Sequence, residues 1–174
     1  MKNWYMLTLV GRDGPGIVAA VSRVLYESGG NIGEASMARL GGNFSMMLMV
    51  RCPLELKELK ARLQPAIQPW NLMMHLDAID ADLHHHVEPD VKISIYGADR
   101  AGIVATATGA LAEAGLNILN LETDVGGTEA EPIFIMHIEG VAEHGLPPLQ
   151  KACEALSRDQ QVETHLSPID TLMG

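Results

Sequence analysis

Apolar positions along the chain follow two rhythms, and the order of those rhythms occurs twice. Tyr5, Leu7 and Leu9 alternate with Met6, Thr8 and Val10, the period of a strand buried on at least one face. Ile17, Val18, Val21, Val24 and Leu25 then recur at helical spacing. Gly29-Gly30 ends that helix. Residues 31–40 and 43–51 read as two strands joined at Gly41-Gly42, a hairpin signal. Leu56, Leu59 and Leu63 predict a second helix, with Glu58 and Arg62 one turn apart and Pro65 and Pro69 closing it. Residues 70–79 predict a last strand.

The same order returns. A strand over 91–96 leads to a helix over 101–114, strands near 117–125 and 132–139, a helix near 147–157 and a strand near 161–167. Its hairpin is longer, because "GGTEAEP" stands where the first copy has "GGN". With an offset of 86, residues 7–32 and 93–118 share eleven identities over 26 positions. They are Gly11/Gly97, Asp13/Asp99, Gly16/Gly102, Ile17/Ile103, Val18/Val104, Ala19/Ala105, Leu25/Leu111, Glu27/Glu113, Gly29/Gly115, Asn31/Asn117 and Ile32/Ile118. Self-similarity at the size of a small domain indicates duplication. The expected fold is α+β: two β-α-β-β-α-β units on the ferredoxin-like plan, with antiparallel sheets and helices on one face. Domains are expected at 1–79 and 91–174, joined by a polar linker over 80–90.

Two elements carry candidate chemistry. The first is G-x-D-x-x-G-[IV] between strand and helix, "GRDGPGIV" and "GADRAGIV". Asp13 and Asp99 stand where an N-cap belongs, Pro15 suits the first helical turn, and Gly16 and Gly102 clear the helix start. A helix N-terminus favours a carboxylate or phosphate. A capped helix with glycines for tight packing is the structural alternative. Neither copy matches a Walker-type loop or the Rossmann spacing. The second element is "GGNI" and "GLNI", whose Asn31 and Asn117 are expected to present an amide beside the same end of the sheet. Here the alternative is a turn residue that tolerates left-handed backbone.

Together these residues resemble the ACT domain, the small regulatory domain that senses amino acids. Two ACT domains with nothing attached look like the glycine cleavage system transcriptional repressor family. That resemblance implies a two-domain regulator without a DNA-binding module, which contacts a DNA-binding activator and responds to a small amino acid such as glycine or serine. It implies side-by-side association of domains into a homo-oligomer. The ligand would lie at the interface between two domains, held by the loop of one and the Asn region of the other. Carried over by position, the ligand-binding residues are Arg12, Asp13, Gly14, Gly16, Asn31 and Ile32 in the first copy. In the second they are Ala98, Asp99, Arg100, Gly102, Asn117 and Ile118. The loops differ, "DGPG" against "DRAG", so the two sites need not bind alike.

Composition narrows the alternatives. The chain has 174 residues, 47% hydrophobic and 20% charged, the balance of a globular protein. No apolar run reaches the roughly 18 residues of a membrane span, and the N-terminal run reads as a strand, not a signal peptide. Two cysteines, Cys52 and Cys153, make neither a disulfide framework nor a zinc site, which points to the cytoplasm. The net charge of −10 resides in residues 88–174, with four Lys/Arg against fourteen Asp/Glu, while residues 1–87 balance at eight each. An acidic half disfavours direct nucleic-acid binding and leaves either a solubility surface or a face for a basic partner. Seven aromatics in all are too few for a stacking RNA-binding sheet. His84, His85 and His86 read as solvated linker before metal site, and Met46, Met47, Met49, Met73 and Met74 as core. No catalytic set, metal or cofactor is expected. The other readings are a ligand-free dimerisation or interaction module, and a separately encoded regulatory subunit of an amino-acid metabolic enzyme.

Overall fold

The structure is a computed structural model that describes residues 3–80, 87–128 and 132–169. The chain forms two compact units, Met1–His85 and His86–Gly174. The expected linker lies largely outside the described residues, as do His84, His85 and His86.

Unit 1 runs β1 (Asn3–Arg12), α1 (Ile17–Glu27), β2 (Asn31–Leu40), β3 (Asn43–Cys52), α2 (Leu56–Ile67), a short 3₁₀ turn (Gln68–Trp70) and β4 (Met73–Ile79). Unit 2 repeats the order: β5 (Val91–Ala98), α3 (Ile103–Glu113), β6 (Leu116–Gly127), β7 (Pro132–Ala142), α4 (Leu146–Gln160) and β8 (Glu163–Pro168). The sheets are ordered β2-β3-β1-β4 and β6-β7-β5-β8, with every pairing antiparallel. Each unit is therefore the predicted β-α-β-β-α-β fold.

Alternation decides which face is buried. Tyr5, Leu7 and Leu9 lie opposite Val50, Leu48 and Met46, and all six are buried. Ile17, Val21 and Leu25 of α1 and Leu59, Leu63 and Ile67 of α2 complete this core. These residues are spaced four apart, so each helix lays one stripe on the sheet. In unit 2, Val91, Ile93 and Ile95 meet Ile103, Ala107 and Leu111 of α3 and Leu149, Cys153 and Leu156 of α4. The intervening positions Trp4, Met6, Thr8 and Val10 occupy the other face of the unit 1 sheet, away from the helices.

Glycines set the chain reversals. After α1, the Gly29 N–H donates to Tyr26 O (2.9 Å) and the Gly30 N–H to Leu25 O (2.8 Å), with Gly29 at φ 71°. This bond pair is the Schellman ending that a left-handed glycine permits. Gly41 and Gly42, at φ 55° and 81°, make the two-residue turn whose twist matches a hairpin.

Two expectations are corrected here. Pro65 does not close the second helix but lies inside α2, which runs on to Ile67. It forfeits one bond to the Ala61 carbonyl, and Ala61 is exposed, so water can replace the lost donor. The methionines are not all core. Met46 and Met49 are buried, but Met47 and Met73 are 48% and 71% exposed. They stand opposite Thr8 and Val10 on the open face.

Candidate functional site

The loop between β1 and α1 is held from both sides. Its Asp13 N–H donates to the Gly42 carbonyl of the hairpin turn at 3.1 Å. The Asp13 carboxylate meets Arg39 Nε of β2 at 2.7 Å. Asp13 is therefore not the predicted N-cap. The N-cap is Gly16, at φ 89°, and no side chain caps the helix. Unit 2 behaves alike: Gly102 at φ 86° is the N-cap and Asp99 does not cap. Pro15 likewise precedes the helix and is not in its first turn. At φ near 90° a Cβ is strained, which explains both glycines. At Gly102 the added Cβ would meet nothing within 4 Å, so backbone geometry, not space, selects glycine there. No side chain caps α1 or α3, so their first-turn N–H groups depend on backbone or ligand acceptors, and in α3 the Ile103 N–H already donates to the Arg100 carbonyl at 3.3 Å.

The two loops have diverged in what lies over them. In unit 1, Trp70 of the 3₁₀ turn packs on Gly14; a Cβ there would lie 2.6 Å from the indole Cδ1 and 2.8 Å from Nε1. Arg12, Asp13, Pro69, Trp70 and Asn71 line an open cleft of about 450 Å³. In unit 2, Ala98 stands at the place of Arg12 and Arg100 at the place of Gly14. The Arg100 guanidinium donates to the backbone carbonyl of Gln160. Asn71 and Gln161 both adopt left-handed backbone, at φ 51° and 52°, one residue before Leu72 and Val162. Those two residues crowd Gly11 and Gly97 in turn. Trp70 and Gln160 thus hold matching places, one an aromatic wall and the other a carbonyl anchor.

Asn31 is the first residue of β2 and Asn117 the second of β6; both are exposed and carry no positive φ. Ile32 and Ile118 beside them pack against the two cores. The strand register corrects the expectation that loop and Asn share a sheet end. Asn31 pairs with Arg51, which pairs with Trp4; Arg12 pairs with Asn43, which pairs with Leu40. Eight residues of β1 separate the two rows, so loop and Asn lie ~26 Å apart at the strand rise of ~3.3 Å per residue. Unit 2 has the same arrangement, with Asn117 opposite Val141 and Ala98 opposite Ile133. The structure brings Arg12, Asp13, Gly14 and Gly16 together, and separately Asn31 with Ile32.

Sequence reading missed Trp70 and Arg39. Trp70 gives no signal in one sequence, because its contact with Gly14 spans 56 residues. Three further histidines have polar partners: His137 Nδ1 and Ser94 Oγ at 2.9 Å, His165 and Glu163 at 3.0 Å, His75 and Asp77 at 2.8 Å. Among the described residues, no three His, Cys, Asp or Glu side chains gather to hold a metal, and no helix is long and apolar enough to cross a membrane.

Comparison with known proteins agrees with this geometry. Residues 5–78 and residues 91–153 each match the ACT domain family. No curated protein matches the sequence significantly. Among solved structures, one of an unknown protein from Galdieria sulphuraria superposes with a TM-score of 0.78 at 24% identity, over 98% of this chain and 100% of that one. Another, provisionally described as a glycine cleavage system transcriptional repressor, superposes with a TM-score of 0.73 at 20% identity, over 98% of this chain and 99% of its own.

Proposed function

The chain belongs to the ACT-domain family, as two ACT domains in tandem, and from that premise we propose that it is an amino-acid-responsive regulatory protein without catalytic activity. It acts through protein–protein contacts, and the glycine cleavage-type system is the regulated process the fold resemblance favours. The observation that carries the ligand reading is the loop. In both units a left-handed glycine starts the helix with no side-chain cap, which leaves first-turn N–H groups and the positive helix end to a ligand in unit 1, whereas in unit 2 the Ile103 N–H is taken by the Arg100 carbonyl. In unit 1 Arg12 adds a cation and Trp70 a wall. A carboxylate fits these groups. Loop and Asn region lie too far apart within a unit for one small ligand to touch both, so the ligand draws on two ACT domains. The exposed edge strands β2 and β6 and the apolar open face with Met47 and Met73 support a homo-oligomer and a protein partner such as a DNA-binding activator.

The affinity has an upper bound. Glycine has about five heavy atoms, and about 1.5 kcal/mol per atom is the ceiling for the smallest ligands, so its Kd is no tighter than a few µM. Calorimetry on the full chain with glycine and serine is therefore run to millimolar concentration. Saturable heat with a Kd between µM and mM is expected for at least one of them. No heat for any amino acid would remove the ligand claim. Occupancy shifts partner binding only by the ligand's differential affinity for the two states. Pull-down of a partner with and without that amino acid measures the shift.

A further inference from the structure

The sheet row that starts at Asn31 has chemistry that unit 2 lacks. Asn31, Arg51 and Trp4 are directly opposed across β2, β3 and β1, on the face away from the helices. Opposed residues have Cβ atoms ~4.5–5.5 Å apart, so Arg51 stands between Asn31 on one side and Trp4 on the other. The Arg51 guanidinium carbon lies 5.8 Å from the Trp4 ring centroid. The indole reaches over the β2 bulge, where a Cβ at Gly33 would meet it at 3.2 Å. Gly33 thus makes room for Trp4, and Trp4 holds Arg51 in place. Arg51 Nε is buried and has no hydrogen-bond partner among the described residues. No carboxylate of those residues forms an ion pair with it. The corresponding row in unit 2 is Asn117 opposite Val141, with Asp90 nearby, whose Oδ1 accepts the Ala142 N–H at 2.9 Å.

We infer that Arg51 is a ligand-binding residue that works beside Asn31 and shares the carboxylate of a small free amino acid with the helix-start loop of another ACT domain, and that the Asn117 region does not take one. The inference rests on the effector reading above. Its physical basis is a cation packed on an indole, with no counter-ion among the described residues, beside a side chain that can both donate and accept. A guanidinium meets a carboxylate through two parallel N–H bonds, which the Asn amide can supplement. Val141 offers no donor, so the duplicated chain has one such region, not two.

The test pairs a change in the protein with a change in the ligand. Glycine and serine are titrated calorimetrically into the full chain, against glycinamide and serinamide, for the natural sequence, Arg51→Gln, Arg51→Lys and Val141→Ala. The natural chain is expected to prefer acid over amide by at least about tenfold, and Arg51→Gln to lose about ten- to a hundredfold in affinity for the acid together with that preference. Arg51→Lys keeps the charge and recovers part of both. Val141→Ala binds as the natural chain does. Circular dichroism establishes that each variant is folded, and should Arg51→Gln not fold, Arg51→Lys carries the comparison with an expected loss of about tenfold. Equal affinity of the natural chain for acid and amide overturns the inference. So does a folded Arg51 variant with undiminished affinity and preference, which leaves the effector reading standing. Absence of binding by every amino acid removes both.

Discussion

Substitution of Gly14 by alanine tests whether Trp70 forms one wall of the unit 1 loop. Gly14 has no positive φ, so the backbone tolerates alanine, and any cost comes from space alone. The new Cβ would stand 2.6 Å and 2.8 Å from two indole atoms. Ordinary contact is ~3.5 Å or more, so the ring must recede by roughly 0.8 Å. Overpacking costs about 1–3 kcal/mol, and a half-buried ring that can shift belongs in the lower half of that range. Alanine also restricts the unfolded chain, which returns about 0.4–1 kcal/mol. The net expectation is a loss of about 0.5–1.5 kcal/mol for Gly14→Ala alone. In a Trp70→Ala background the same change is neutral or stabilising, so the cycle shows a coupling of about 1–2 kcal/mol. Gly16→Ala is the contrast. Its φ of 89° imposes backbone strain, and its Cβ would lie an ordinary 3.5 Å from the ring. It costs about 1–2 kcal/mol in both backgrounds. Urea unfolding followed by tryptophan fluorescence measures all of these in unit 1 specifically, because Trp4 and Trp70 are the chain's two tryptophans and both lie there. A Gly14→Ala cost that persists after Trp70 is removed would refute the contact.

Two further outcomes are expected. Gly140→Ala places a Cβ 2.3 Å from the Asn117 carbonyl oxygen, a backbone atom that cannot swing aside, so β6 must leave β7. A loss of about 3 kcal/mol or more is expected, seen as early melting of part of the far-UV signal while tryptophan fluorescence changes little. Burial holds the Cys153 thiol above its usual 9.0, and Glu154 raises it further against the lowering effect of the Thr164 hydroxyl. The folded state therefore keeps this proton at a pH where the unfolded chain has lost it. The resulting stability is complete below pH 9 and is lost as pH rises through the higher folded value. Urea unfolding of the natural chain and Cys153→Ala from pH 7 to 10.5 is expected to show their difference shrinking in the alkaline limb, and a constant difference would contradict it.

How much of this was legible in the sequence follows from the range of each interaction. The strands and helices were readable, because Tyr5, Leu7 and Leu9 alternate and Ile17, Val21 and Leu25 fall one turn apart, and both patterns are local. The Gly29-Gly30 ending and the Gly41-Gly42 turn were readable because each glycine answers a local backbone demand. Asp13 misled, since an Asp four residues before a helical run looks like a cap, yet Arg39 from another strand claims its carboxylate. Pro65 misled because proline usually marks a boundary, whereas exposure of Ala61 makes the lost bond cheap. The wall at Trp70 and the row of Asn31, Arg51 and Trp4 depend on strand register and on the α2–β4 connection, which no periodicity encodes.

The duplication itself separates what the fold requires from what it does not. Of the identities between the copies, Gly16/Gly102 and Gly29/Gly115 hold positive φ, and Gly11/Gly97 make room for Leu72 and Val162. Ile17/Ile103 and Leu25/Leu111 fill the cores, and Ile32/Ile118 pack against them. Each of these pairs is explained by the fold alone. Asn31 and Asn117 are not. They lie within strands, with no left-handed backbone that would favour Asn as a turn residue. They are exposed, and neither amide forms a hydrogen bond among the described residues. The turn-residue explanation therefore fails at both positions, and packing supplies no substitute. What distinguishes the two asparagines is their neighbour across the strand, a fixed arginine in one unit and a valine in the other.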